Sequence, residues 1–523
     1  MKKQSRILAF ALALMMVFAC MSVTASAESE KDYSEKITFT MSAIDAASLG
    51  IQDDGSESAV WTWLKEKFNV DFDLWPLDWG NYVDQTRIWI NTESAPDIMM
   101  MDIAAVRYGE FLEWVDAGML HPYTNLENYP NLSARLDTMS TGKKFIVDGE
   151  LYAWPAYMDT VEFDYAKIIA YKYRTDWAKL TGMYKEDDTY TWDEWWAMMD
   201  KIMELKPGGP DTIGMVTQAP YEFPSYLTIG ISPYMLKFTK NADGQWVWGA
   251  TLPETEEALK FIKEKYDAGV IWKDQPILPD GTGDNEFAAG HLFAQIMDGT
   301  STGAWMGAKG GFEEANEGLV YEDVFSIAKV KAPNGKFVTY QGSDQWSQTG
   351  MAASMSDKKV ERWMDMLDYL VSDEGYYVRN LGIPGVDWEW NEDGTAKCLW
   401  AQDDQGNYIA PYNGVWPWAR IAGCNDNFSN YSPSQPDAVK ALIIDAMKTY
   451  SGPDADIVPL DADIAFFSDP DYLEATAGLE EQTYQKIAEL IIKDDFIDQW
   501  NAWVAEKSRE VQPAVDALNA AFN

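Results

Sequence analysis

Cysteine and histidine are nearly absent, with three Cys and two His among 523 residues. Cys20, Cys398 and Cys424 show no metal-ligand spacing, and only a Cys398–Cys424 disulfide stays open as a pairing. His121 and His291 lie too far apart for a His-Glu-x-x-His zinc site, and neither a P-loop nor an EF-hand loop is present. Gly299 to Gly303 spells G-x-S-x-G, yet both histidines precede Ser301, whereas the hydrolase fold that uses this turn needs its histidine after the serine. The acidic run Asp280 to Glu286 reads as a solvated loop rather than a calcium site. These absences leave no catalytic residue, metal or cofactor to assign. Basic charge is scarce as well. The chain has 41 Lys and Arg against 84 Asp and Glu, a net charge of −43. Such a field repels nucleic acid, anionic lipid surfaces and heavily charged uronate polymers, except where a local basic pocket overrides it.

The amino terminus carries an export signal. Lys2, Lys3 and Arg6 precede the apolar run Ile7 to Ala19, and Ala25-Ser26-Ala27 supplies a small-x-small cleavage site. That run is well short of the roughly 20 residues that span a bilayer. Residues 1–27 are therefore expected to be removed, leaving a charge of about −46 on an extracellular, surface-held or periplasmic protein. The alternative is lipidation of Cys20, disfavoured by the bulky Phe18 and Met21.

Alternating apolar residues predict strands at Ile37–Met41 and Val70–Leu74, helices over 56–68 and 81–91, and a buried strand over 96–101. Strands interleaved with helices imply a largely parallel sheet, whose ligands sit beyond the strands' carboxyl ends. Asp45 and Asp102 fall at such ends.

One stretch, residues 142–196, orders a turn, a strand, an extended crossing and a capped helix. Gly149 to Pro155 reads GELYAWP, Tyr173 to Trp177 reads YRTDW, and Thr191 to Trp195 reads TWDEW. Further on come Phe287 to Trp305, Gly342 to Ser354 (GSDQWSQTGMAAS) and Asp357 to Trp388. In this order the segments resemble the extracellular solute-binding proteins, family 1, sugar-binding type, of ABC importers. The resemblance implies an α/β, two-lobed, type II periplasmic-binding-protein-like fold. Residues 36–160 and 345–400 would form lobe 1, and residues 161–344 and 401–523 lobe 2. It also implies a monomer that hands a captured carbohydrate to permease subunits without chemistry.

The ligand class rests on aromatics: 24 Trp, 27 Tyr and 21 Phe. A tryptophan face packs on the C–H face of a sugar while its N–H bonds a hydroxyl. Trp192, Trp195, Trp196 and Met199 fall at helical spacing behind a Thr191/Glu194 capping box and are read as core, as are Trp363, Leu367 and Leu370. The resemblance places Trp305, Trp346, Trp416 and Trp418 at the cleft, the last two on a loop because Pro417 separates them. Tyr157, Asp159 and Asp344 lie in its crossing segments, joining Asp45 and Asp102 as polar candidates. Ser301 is a further ligand-binding candidate, where it caps the following helix and presents that helix's amino end to a ligand. A secreted glycoside hydrolase and a peptide- or other-solute-binding relative are the competing readings.

Overall fold

The computed structural model describes residues 31–523 apart from 50–55, 79–80, 104–106, 159–165, 168, 218–222, 280, 300–304, 403–407, 412–415, 425–433 and 435. The signal segment 1–27, Cys20, Asp159 and Ser301 lie outside the described residues.

Two sheets organise the chain. The strands used below are β1 (Ile37–Ser42), β2 (Val70–Leu74), β3 (Ile98–Met101), β4 (Ala153–Met158), β5 (Ala166–Lys167), β6 (Ile169–Arg174), β7 (Ile213–Thr217), β8 (Leu292–Asp298), β9 (Phe325–Val330), β10 (Phe337–Gln341), β11 (Gln345–Ala352), β12 (Gly423–Cys424) and β13 (Ala455–Val458). The first lobe's sheet runs β2-β1-β3-β11-β4-β12, with Leu120–His121 pairing the far end of β11. The second lobe's sheet begins at Thr189–Tyr190 and continues β9-β6-β8-β7. The first two predicted strands begin at the expected residues, Ile37 and Val70, while the strand Ile98–Met101 and the helices Ala59–Phe68 and Tyr82–Asn91 start slightly later than predicted.

Each sheet contains one strand running against its neighbours, β11 in the first and β6 in the second. Both follow directly on a crossing between the lobes, where β5 and β10 pair antiparallel and β13 pairs parallel to β10. The amino ends of β6 and β11 therefore lie beside the carboxyl ends of the other strands. Ile169 pairs with Asp298, Gln345 with Tyr157, and Gln348 with Met101. Both lobes thus present their carboxyl edges at the crossings, where ligands of such sheets bind.

The cores follow from sequence period. Every residue of β3, β6, β7 and β9 is buried, as expected for strands covered on both faces. Helix Trp192–Leu205 opens on the expected capping box, and Trp195, Trp196 and Met199 are buried. Trp363, Leu367 and Leu370 are core residues of the first lobe.

The carboxyl-terminal quarter departs from the expected boundaries. Residues 401–523 were assigned to lobe 2, yet Trp418, Ile421, Ala422 and Phe466 belong to the first lobe's core, and β12 is an edge strand of its sheet. The cause is hydrogen bonding as well as burial. The carbonyls of Arg420, Ile421 and Ala422 accept from Ser347 Oγ (2.8 Å), Thr349 Oγ1 (2.9 Å) and Trp154 Nε1 (2.8 Å), which satisfies a helix end. Helices Asp437–Tyr450 and Phe496–Phe522 pack on the second lobe's core clusters.

Candidate ligand-binding cleft

The first lobe's edge is built from turns that leave β1, β2 and β3. Asp45 adopts a left-handed conformation (φ 59°), which Asp tolerates better than most residues, and its N–H donates to Leu77 O at 2.9 Å. Trp75 follows β2 at once, half-buried, its ring 5.3 Å from that of Trp89. Asp102 follows β3. Tyr82 Oη donates to its carboxylate at 3.0 Å, and Arg107 Nη1 stands 3.6 Å away. Burial raises the Asp102 pKa, while the Arg107 charge and the Tyr82 hydrogen bond act in the opposite direction. Gln348 Oε1 accepts from the Ile103 N–H at 2.7 Å, tying this turn to β11.

Trp346 lies at the amino end of β11, half-buried, with the Arg420 guanidinium 4.9 Å from its ring centroid.

Four other candidates sit differently. Asp344 is buried, accepting from Ser140 and Thr141 through both backbone and hydroxyl groups, including Ser140 Oγ at 2.9 Å and Thr141 N at 3.1 Å. Its carboxylate fixes the turn before β4 and is not open to solute. Tyr157 is 1% exposed: Arg379 donates to its hydroxyl, and the Arg135 guanidinium lies 4.0 Å from its ring centroid. Trp305 is wholly buried, its Nε1 donating to Gly299 O at 2.5 Å and its carbonyl accepting from Tyr321 at 2.7 Å. Trp418 is equally buried, 4.4 Å from the Trp61 ring. Trp416 and Trp418 lie on helix Trp416–Ala422 rather than a loop. Pro417 is tolerated because it falls in the first turn, where its missing N–H breaks no helical bond.

The second lobe's edge is described less fully. Thr217, at the end of β7, is held by Gln275, which accepts from its N–H at 2.9 Å and donates to its hydroxyl at 2.7 Å. A small apolar pocket within the second lobe is lined by Ile169, Tyr226, Ile229, Ile296, Val338 and Tyr450 among others, with no Asp, Glu, Lys, Arg or His in the lining.

Sequence reasoning missed Trp75, Tyr82, Arg107, Arg135 and Gln348. Trp75 was within reach of the strand-end rule, because it directly follows an alternating strand. Arg135 had no local signal: it lies on helix Pro130–Asp137, and only the fold brings it to Tyr157. Among the described residues no group of three His, Cys, Asp or Glu could hold a metal ion, and no helix is long and apolar enough to cross a membrane.

No family model matches the chain. It is 26% identical over 301 residues to Lipoprotein LipO of Bacillus subtilis (strain 168), a match covering 55% of this chain and 54% of that protein. Among solved structures it resembles the alginate-binding protein AlgQ2 without calcium ion, at TM-score 0.66, 15% identity and coverage of 94% of this chain and 99% of that one. The S. pneumoniae ABC-transporter substrate-binding protein FusA in complex with kestose gives TM-score 0.65, 14% identity and 93% and 99% coverage. An HMO-binding, ABC-transporter-associated solute-binding protein from Bifidobacterium longum infantis gives 0.60, 14%, 93% and 98%. With its two α/β lobes, its paired crossings and these likenesses over nearly its whole length, the chain has the fold of the extracellular solute-binding proteins of ABC importers.

Proposed function

We propose that this chain is an exported substrate-binding protein that captures a carbohydrate, an oligosaccharide rather than a single sugar, and delivers it to an ABC permease. The observation that carries this reading is the first lobe's carboxyl edge, where half-buried Trp75 and Trp346 flank the polar set Asp102, Tyr82 and Arg107. Aromatic faces beside fixed donors and acceptors are what ring C–H groups and hydroxyls require. The solved relatives named above bind alginate, kestose and HMO by their descriptions, which supports the same ligand class here.

The mechanism is a population shift without bond chemistry. Ligand settles on the first lobe, groups of the second complete the cage, and closure about the crossings creates the surface a permease reads. Micromolar capture needs only about −8 kcal/mol, within reach of a few stacked rings and hydrogen bonds. The protein acts as a monomer and not as an enzyme, held outside the membrane by export alone or by a lipid on Cys20.

The test is a thermal-shift and calorimetric screen of the mature chain against oligosaccharides, amino acids and short peptides, with product analysis of each hit. Stabilisation by a glycan recovered intact supports the proposal. Glycan cleavage replaces it with a hydrolase, and stabilisation by peptides alone replaces its ligand class.

A further inference from the structure

Helix Tyr108–Asp116 starts just past β3, its first residue beside Arg107 at the cleft edge of the first lobe. Its opening residues receive two short helices from the carboxyl-terminal part of the chain. Tyr108 takes the ring of Phe466, at the end of helix Ala462–Ala465, with 5.2 Å between ring centroids. Gly109 takes Leu473 of helix Pro470–Thr476. A methyl group placed on Gly109 would stand 3.5 Å from Leu473 Cδ1, 3.6 Å from Cδ2 and 3.8 Å from Cβ.

The two short helices belong to different lobes. Helix Ala462–Ala465 is held by the first, through Phe466 in its core and the ion pair between Lys144 and Asp463. Helix Pro470–Thr476 is held by the second. The Tyr472 ring lies 5.7 Å from that of Phe238 and 5.2 Å from that of Phe467, which in turn reaches Phe522. Leu473, on the same helix, therefore meets Gly109 across the lobe boundary. The two landings also differ in kind. Phe466 is interlocked with Tyr108 and Phe145, whereas Leu473 and Gly109 are both half-buried and touch where the first lobe's helix has no side chain.

The backbone does not call for glycine at this point. Gly109 lies inside a helix without a positive φ, and glycine is a poorer helix former than alanine. What it supplies is a smooth contact. Side-chain ridges seated in grooves fix one helix on another, while a leucine bearing on bare backbone leaves the pair free to slide. Sliding of packed helices is one of the ways in which lobes close around a ligand.

We propose that helix Pro470–Thr476 is a sliding clasp, in which Leu473 bearing on Gly109 sets how far the lobes stand apart without ligand and so tunes capture without contributing a binding group. The inference rests on the solute-binding reading above and adds a regulator to it. Apparent affinity falls with the fraction of molecules in the binding-competent arrangement, so loosening the clasp weakens binding.

The test is a double-mutant cycle on the mature protein. Gly109→Leu places a branched chain where Leu473 now bears, and Leu473→Ala removes the bearing side chain. Each alone should enlarge the radius of gyration of the ligand-free protein in small-angle scattering. Each should also weaken, by at least roughly twofold, calorimetric binding of whichever of maltotriose, xylotriose and chitotriose the wild type takes. Gly109→Leu combined with Leu473→Ala restores a leucine-sized contact from the opposite side and should return both readings towards the wild type, a coupling that independent packing losses do not give. Gly109→Ala is the control: its methyl fits at ordinary contact distance, so scattering and affinity should stay unchanged while the melting temperature holds or rises. Single variants that lower the melting temperature but scatter as the wild type does, or a double variant whose shifts are the sum of the two, overturn the clasp. A wild type that binds none of the three sugars counts against the carbohydrate reading instead, and the ligand-free scattering still decides the clasp.

Discussion

Phe466 and Phe467 are adjacent in sequence, and their rings enter opposite halves of the molecule. Phe466 packs into the first lobe, 5.2 Å from Tyr108 and 5.8 Å from Phe145. Phe467 lies 5.2 Å from Tyr472 and 5.1 Å from Phe522, at the end of the helix that covers the second lobe. Lys144 reinforces the first contact through an ion pair with Asp463 at 2.5 Å. These residues follow β13, so the third crossing ends in a two-ring joint spanning the lobes.

Truncating that joint should both weaken the fold and loosen the crossing. Phe466→Ala removes a buried ring and is expected to cost about 3 kcal/mol in urea unfolding. The same variant should widen the ligand-free conformational range, seen as a larger radius of gyration in small-angle scattering. Wild-type scattering from a destabilised variant would confine Phe466 to packing.

Tryptophan substitutions should separate into two classes. Trp346→Ala is expected to reduce ligand affinity at least roughly tenfold with little change in melting temperature, since its ring is half-buried at the cleft edge. Trp305→Ala and Trp418→Ala should instead cost about 3 to 5 kcal/mol of stability, because both rings are wholly buried. Calorimetry beside thermal melts decides it, and a stable Trp418→Ala protein with impaired binding would reverse the assignment.

That contrast also marks what the sequence could convey. Lobe architecture was legible because strand period, helix period and the crossing motifs each leave a local pattern, down to the Thr191/Glu194 capping box. Tryptophan exposure was not, because a ring at a turn reads the same whether it faces solvent or the core. Trp305 is buried because its N–H finds Gly299 O and its ring joins Phe312 and Tyr321 in one cluster, partners visible only after folding. Asp344 was placed in the right segment, but its role depends on Ser140 and Thr141, some two hundred residues earlier.

Lys172 should show the asymmetry of a buried ion pair. Its side chain is fully buried, its Nζ is 2.6 Å from Asp284, and burial lowers its pKa against the pull of that carboxylate. Asp284→Ala leaves an ammonium without its counter-charge and is expected to cost about 3 kcal/mol. Lys172→Met removes the charge itself and should be neutral or stabilising by about 1 kcal/mol, since Asp284 still reaches solvent. Urea unfolding of both variants is the measurement, and equal losses would mean the pair itself, rather than the desolvated lysine, governs stability.

Asp102 should make stability fall as pH rises through the carboxylate range. Its folded-state pKa is raised, chiefly by burial, so between the unfolded value of about 3.9 and the raised value the folded chain holds more protons than the unfolded one. Unfolding free energy therefore decreases with rising pH across that window and is flat on either side of it as far as this group is concerned. Arg107→Ala removes a charge that counters the shift, so it should extend the window upward. Asp102→Asn deletes the titration, and its advantage over the wild type should grow with pH through the window and then level off. Urea unfolding from about pH 4 to pH 7 for the three proteins makes the comparison. A constant offset between Asp102→Asn and wild type across that range would show that the carboxylate is ionised throughout, with Arg107 and Tyr82 outweighing burial.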